Sequence, residues 1–263
     1  MLLTLDIGNT IINLGCFEGD DLRVTARITT EKTKTEDQYA VAIRDVLDIY
    51  GVSMQEITGA ILSSVVPTLT GRVAKAVEKI ARVRPLVVGP GIKTGLNIKI
   101  DDPATLGADL VADCVSALAA YPLPCIVLDM GTATSFTVLN EKGVMVGGAI
   151  LPGVQTALDA LCRDTALLTN IALVTPAHAI GKNTAECMAS GSMLGTAAMI
   201  DGMVDRLEEE LGSPCTLVGT GDLAGSILPL CRRKIIFDEH LLLNGLRLLY
   251  QKNTAPKQAK TVL

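Results

Sequence analysis

The chain has 263 residues, 49% of them apolar and 19% charged, with a net charge of −5 and only 3% aromatics. That is a globular composition, with length for one large domain or two modest ones. With no Trp and no basic run, it offers neither a base-stacking surface nor a phosphate-backbone track, so no nucleic-acid partner is expected. Every apolar stretch is broken by Asp, Gly or Pro before it reaches the length of a membrane span, so no membrane association is expected. The opening "MLLTLD" has no basic region before it and does not read as a signal peptide.

The chain begins with a short buried strand, "LLTLD". "IINLGCFEG" and "LRVTARITT", separated by a Gly-Asp-Asp turn, predict a hairpin. Residues 36–50 put Tyr39, Ile43, Val46, Leu47 and Tyr50 on one helical face. "ITGAILSSVVP" predicts a strand ending at Pro67, residues 68–82 a helix, and "PLVVG" a further strand. From residue 125 the pattern starts again: "CIVLD", then "TSFTVLN" and "VMVGGAIL" around an Asn-Glu-Lys-Gly turn. Helical patterns follow at about 153–163 and 182–211, "CTLVG" is a strand, "GDLAGSILPLC" a helix, "KIIF" a last strand, and 240–252 a closing helix. The polar tail "QKNTAPKQAKTVL" is expected to fray. The chain therefore reads as a tandem pair of βββαβα-like units, whose domain-sized period excludes a solenoid.

Each unit opens on a similar stretch, "LDIGNT" (5–10) and "LDMGTAT" (128–134). A glycine there permits close backbone approach to a ligand, and the N–H groups with the hydroxyls of Thr10, Thr132 and Thr134 suit phosphate oxygens. An aspartate at a strand end needs a cation to meet phosphate, so Asp6 and Asp129 are candidate metal ligands. Ordinary hairpin turns use the same residue types for shape alone; the repetition favours function. Asp109 opens the helical stretch 107–120, where it is either a cap and dipole partner or a general base beside bound substrate. "LVGTGDLAG" (217–225) hints at a dinucleotide turn, but no ribose-binding acid follows, and such a turn accommodates an adenosine equally well. "GGAILPG" supplies a glycine-rich strand end, and Asn183 or Thr184 can cap the helix that follows. Met188, Met193, Met199 and Met203 are expected in a core. The seven cysteines are scattered, without Cys-x-x-Cys spacing. Zinc is not expected, and a reducing, cytoplasmic setting is.

Two Asp-x-Gly-x-Thr turns in a duplicated chain resemble the actin, hexokinase and Hsp70 superfamily. The ordered set "LDIGNTIINLG", "ILSSVVP", "GIKTGLNIKIDDPATLGAD", "LDMGTATSFTVL", "GGAILPG", "GKNTAECMASG" and "HLLLNGLRLLYQKN" resembles type III pantothenate kinase over nearly the whole chain. The resemblance implies an α/β fold of two tandem RNase-H-like (actin-like) domains, 1–115 and 116–263, with an ATP cleft between them. It implies phosphorylation of pantothenate by ATP, the first step of coenzyme A synthesis, in a homodimer that uses Mg²⁺ and either K⁺ or NH₄⁺. By position, Asp6, Ile7, Gly8, Asn9, Thr10, Ile11, Ile12 and Asn13 match the first phosphate motif, with Asp6 near Mg²⁺. Gly107, Ala108, Asp109 and Leu110 match the pantothenate motif, Asp109 being its proton acceptor. Asp129 matches the monovalent-cation ligand, Thr132 an ATP contact and Thr184 a substrate contact. The family motif is Gly-Ala-Asp-Arg, and here Leu110 stands in place of the Arg, with Leu106 before Gly107 where an aromatic is common. Leu110 can neither pair with a carboxylate nor brace the base by an ion pair. Another small-acid or sugar kinase of the superfamily and a non-catalytic nucleotide-binding regulator are the rival readings.

Overall fold

In the computed structural model, which describes residues 1–255, the chain forms two compact units. Among the described residues, the first comprises 1–95, 104–116 and 242–255, and the second 96–103 and 117–241. The chain thus changes unit inside the helix that carries Asp109, and returns to the first unit at its C-terminal helix. A single cut between residues 115 and 116 would leave that last helix with the second unit instead.

The first unit holds β1 (Leu2–Ile7), β2 (Ile11–Glu18), β3 (Asp21–Thr29), α1 (Glu36–Ile49), β4 (Gly59–Ser64), α2 (Pro67–Ala81) and β5 (Leu86–Val87). Its sheet runs β3-β2-β1-β4-β5, with β1 antiparallel to β2 and parallel to β4. Alternation assigns the two faces. Leu3, Leu5 and Ile7 of β1, with Ile12, Leu14 and Cys16 of β2, pack on Tyr39, Ile43 and Leu47 of α1 and Leu69, Val73 and Val77 of α2. Thr4 and Asp6 lie on the other face. Helix α1 starts at a capping box, Thr35 accepting from Gln38 N–H while Gln38 reaches back to Thr35 N–H. Its expected apolar face is narrower than the periodicity implied: Tyr50 is exposed. Pro67 does not end a strand. It opens α2, where its missing N–H costs nothing, and β4 stops at Ser64.

The crossing helix α3 (Ala108–Ala120) follows the short strand β6 (Asn97–Ile98). The last helix, α7, spans Leu241–Thr254, so the expected fraying at 251–254 is replaced by helix; the rest of that tail lies outside the described residues. Within the first unit, α3 and α7 touch closely: a Cβ at Gly245 would overlap the carbonyl of Ala112. Leu243 reaches Gly15, and the Tyr250 ring covers Gly59, so α7 lies over the sheet face that carries Thr4 and Asp6.

The second unit holds β7 (Cys125–Met130), β8 (Ala133–Leu139), β9 (Val144–Pro152), α4 (Val154–Arg163), α5 (Thr184–Leu211), β10 (Thr216–Thr220), α6 (Ala224–Ile227) and β11 (Ile236–Phe237). Only one short turn of α-helix and a following 3₁₀ turn (228–230) form where a longer helix was expected, because Pro229 interrupts it. The sheet of this unit runs β11-β10-β7-β8-β9-β6. Leaving aside β6, the order and direction match the first sheet strand for strand, β1 corresponding to β7, β2 to β8 and β4 to β10. The core includes Ile126, Leu128, Met130, Phe136, Val138, Met193, Ala197, Ile200 and Val204, with Met199 and Met203 packed against it and Met188 buried. The chain is therefore a duplicated mixed α/β fold.

Candidate functional site

In the first unit, Asp6 ends the buried strand β1 on the face away from α1 and α2. It is 6% exposed, and Ser63 Oγ donates to its Oδ1 at 2.7 Å. The register explains the pairing, since Ser63 on parallel β4 and Asn13 on antiparallel β2 flank Asp6 directly. Burial pushes the Asp6 carboxyl up to about 7; the Ser63 hydrogen bond opposes this, the charge of Asp109 adds to it, and a hydrogen bond with Asn13 opposes it again.

The turn after Asp6 is closed by Gly8 N–H donating to Ile11 O at 3.0 Å, while Thr30 Oγ1 donates to Gly8 O at 2.8 Å. Asn9 and Thr10 stand exposed at its tip. Ile11 is half-buried, and Ile7 and Ile12 lie wholly in the core, so their side chains pack and only their backbone is left for a ligand.

Asp109 lies in the first turn of α3, half-buried, with Leu110 N–H donating to its Oδ1 at 2.8 Å. Desolvation raises its pKa, and the backbone hydrogen bonds with Leu110 and with its own N–H hold that rise back. A Cβ at Gly107 would overlap Asp109 Oδ1, so any side chain there would push the carboxylate aside. Ala108 and Leu110 are half-buried beside it. The absent Arg is therefore not the only possible brace: a backbone N–H, which any residue but proline supplies, holds this carboxylate.

In the second unit, Asp129 stands where Asp6 stands in the first. Its direct cross-strand neighbours are Ser135 on antiparallel β8 and Thr220 on parallel β10. Thr132 is exposed in the tight turn after β7, where its carbonyl accepts from Gly153 N–H at 3.0 Å and Thr156 Oγ1 at 2.8 Å. These bonds tie the start of α4 to the turn, and a Cβ at Gly153 would overlap the carbonyls of Gly131 and Thr132, which accounts for the glycine ending "GGAILPG". Thr134 lies in register with Met130 and is 1% exposed, so its hydroxyl is not available to a phosphate. Thr184 is exposed at the first position of α5. The cap is Asn183, whose Oδ1 accepts from Glu186 N–H at 2.9 Å.

Asp6 and Asn13 are cross-strand partners in the first unit, and the charge of Asp109 in the same unit acts on Asp6; Asp129 and Thr132 lie on one strand and its turn in the second. Ser63, Ser135 and Thr220 were not singled out from sequence. Their signal is register: each is a hydroxyl on the strand adjoining an Asp of a repeated turn, legible once the two sheets are aligned.

The residues suit the cations that the resemblance implies. Among the described residues no group of three or more His, Cys, Asp or Glu could hold a metal. Mg²⁺ commonly uses one or two carboxylates and completes its shell with water and substrate phosphates. Asp6 is such a carboxylate, and the charge of Asp109 acts on it. Asp129 with hydroxyl neighbours offers the hard oxygens that suit a monovalent cation.

The family model described as type III pantothenate kinase matches residues 2–206. A type III pantothenate kinase of Moorella thermoacetica is 42% identical over 254 residues, 97% of this chain and 100% of the relative. One of Roseiflexus castenholzii is 43% identical over 253 residues, 96% and 99% of the two chains. Among solved structures, a Sinorhizobium meliloti protein provisionally described as a 2-dehydro-3-deoxygalactonokinase superposes with a TM-score of 0.62 at 11% identity, over 100% of both chains. The Clostridium difficile activator of 2-hydroxyisocaproyl-CoA dehydratase, with bound ADPNP, gives 0.54 at 12%, over 95% and 93%. At such identities these two speak for the fold alone.

Proposed function

The chain belongs to the type III pantothenate kinase family, and from that premise we propose that it transfers the γ-phosphoryl group of ATP to the terminal hydroxyl of pantothenate, the first step of coenzyme A synthesis. The observation that carries the mechanism is the pair of carboxylates in the first unit, Asp6 at the end of β1 and Asp109 at the start of α3, close enough for the charge of one to raise the other. Asp109 accepts the hydroxyl proton as the oxygen attacks the γ-phosphorus and the bond to ADP breaks. A carboxylate raised by burial is the better base for this step, and the Leu110 N–H keeps it oriented.

Asp6 is the candidate Mg²⁺ ligand. Mg²⁺, when bound, offsets the charge that develops on the phosphoryl oxygens. The backbone of residues 6–13 and the exposed Thr10 and Thr132 are the candidate ATP contacts. Asp129 is the candidate ligand of K⁺ or NH₄⁺, supported by its hydroxyl neighbours. Gly107, Ala108, Leu110 and Thr184 are the candidate pantothenate contacts, carried over from the family motif. The family also supports a homodimer, and exposed Val146 and Ile150 on β9, with Leu167, Val174 and Ile180 beyond it, are apolar surface that a second copy could cover. A cytoplasmic setting is supported by seven free cysteines.

The test is coupled ADP release with ATP, Mg²⁺ and K⁺, with and without pantothenate, beside Asp109→Asn. Turnover that requires pantothenate and falls by about 10²-fold or more in the variant is expected. ATP binding without turnover on pantothenate would overturn the reading.

A further inference from the structure

Ser63 is 0% exposed in a strand whose preceding residues, Ala60, Ile61 and Leu62, are all apolar and buried. A hydroxyl there costs free energy unless it is bonded, and its bond goes to Asp6 Oδ1, across the sheet and 57 residues away in sequence. The second unit repeats the register. Thr220 takes the place of Ser63 on the parallel neighbour of Asp129, although the preceding residues differ (Ile61-Leu62 against Val218-Gly219). A hydroxyl thus recurs at one register position beside each turn aspartate.

We propose that Ser63 is a positioning residue for Asp6: its hydroxyl fixes the carboxylate in the orientation that receives the Mg²⁺ accompanying the nucleotide. The inference rests on the phosphoryl-transfer reading above. A carboxylate without this bond is held less firmly in one orientation, and groups that orient a metal ligand typically carry 10–100-fold of the metal affinity. Thr220 indicates the substitution that keeps the function: a threonine presents the same hydroxyl at the same register.

The test uses the full chain with Mn²⁺ as the probe. Mn²⁺ binding in the presence of ADP is read by electron paramagnetic resonance, ADP binding in EDTA by titration calorimetry, and turnover by ADP release. In Ser63→Ala the Mn²⁺ affinity is expected to fall about 10–100-fold while metal-free ADP affinity stays unchanged, and Ser63→Thr is expected to return it to within a few-fold of the original. Should Ser63→Ala fail to fold, Ser63→Cys, similar in size and a weaker donor, takes its place. Unchanged Mn²⁺ affinity in the variant overturns the proposal, as does a loss that a folded Ser63→Thr leaves in place, or an unsubstituted chain that binds no Mn²⁺. A chain that shows the Ser63 effect on Mn²⁺ but does not phosphorylate pantothenate leaves this inference standing and removes the pantothenate kinase reading instead.

Discussion

The carboxylate of Asp109 occupies the space that a side chain at Gly107 would need. The glycine of the Gly-Ala-Asp stretch is thereby explained by the aspartate two residues on, and Gly107→Ala becomes a test of how far the base tolerates displacement. The variant is expected to keep its melting temperature within a few degrees, since the clash is with a movable side chain. Its kcat is expected to fall by about 10²-fold, the usual effect of an ångström of misplacement at a reacting group. Steady-state kinetics beside a thermal melt decide it. An unchanged kcat would mean that Asp109 reaches the hydroxyl from more than one position.

Asp6 makes a second prediction, in stability rather than rate. Its carboxyl is raised from 3.8 to about 7 in the folded chain. Between those values the folded state keeps a proton that the unfolded state has released. The contribution of Asp6 to stability is therefore fully present below about pH 4, declines as pH rises through 7, and is flat above. At 1.36 kcal/mol per unit, roughly 4 kcal/mol is at stake. Asp6→Asn carries no charge to desolvate and can still accept from Ser63. It is expected to be more stable than the original chain at pH 8, by up to about that amount, with the difference shrinking towards pH 4. Urea denaturation at several pH values measures this. A variant no more stable at pH 8 would mean that the carboxylate is less desolvated than its burial implies. Loss of turnover in the same variant would show a stability cost kept for function.

The duplicated α/β pattern was legible because both signals survive in a single sequence: the short apolar runs of β1, β2, β7 and β8, and the Asp-x-Gly turns that join them. Asp109 was legible as a helix-start aspartate. What escaped was everything set by pairing across the sheet. Ser63 and Thr220 look like ordinary strand hydroxyls until β4 is placed beside β1 and β10 beside β7. Thr134 reads as a third phosphate hydroxyl until register puts it opposite Met130, on the core face. Return of α7 to the first unit was equally hidden, because helix periodicity reports that a face is apolar and not which sheet it covers.

Asn183 supplies a prediction that separates folding from substrate contact. Its Oδ1 caps α5, and Lys182 N–H donates to Glu186 Oε2 at 2.8 Å, closing the same helix start. Asn183→Ala is expected to cost about 1 kcal/mol, which is about 2–4 °C in a chain of this size class. Because Thr184 follows the cap, the KM for pantothenate is expected to rise several-fold with kcat little changed. An unchanged KM would detach Thr184 from the substrate, whatever the melt shows.

The close approach of α3 and α7 links the C-terminal helix to Asp109, the proposed base. Gly245 faces the Ala112 carbonyl with no room for a methyl group, and the obstacle is backbone, which cannot rotate aside. Alanine at 245 would gain about 1 kcal/mol of helix propensity, yet it would also force two helices apart, at about 1–3 kcal/mol. The clash is expected to win, lowering the melting temperature by several degrees. Since Ala112 lies three residues after Asp109 on the same helix, the shift is also expected to move the base, so kcat should fall while metal-free nucleotide affinity holds. Measuring both on one preparation discriminates two ways in which the helices could yield. A lower melting temperature with unchanged kcat would mean that α7 moves alone and α3 stays seated. A loss of both would mean that the last helix holds Asp109, the proposed base, in place.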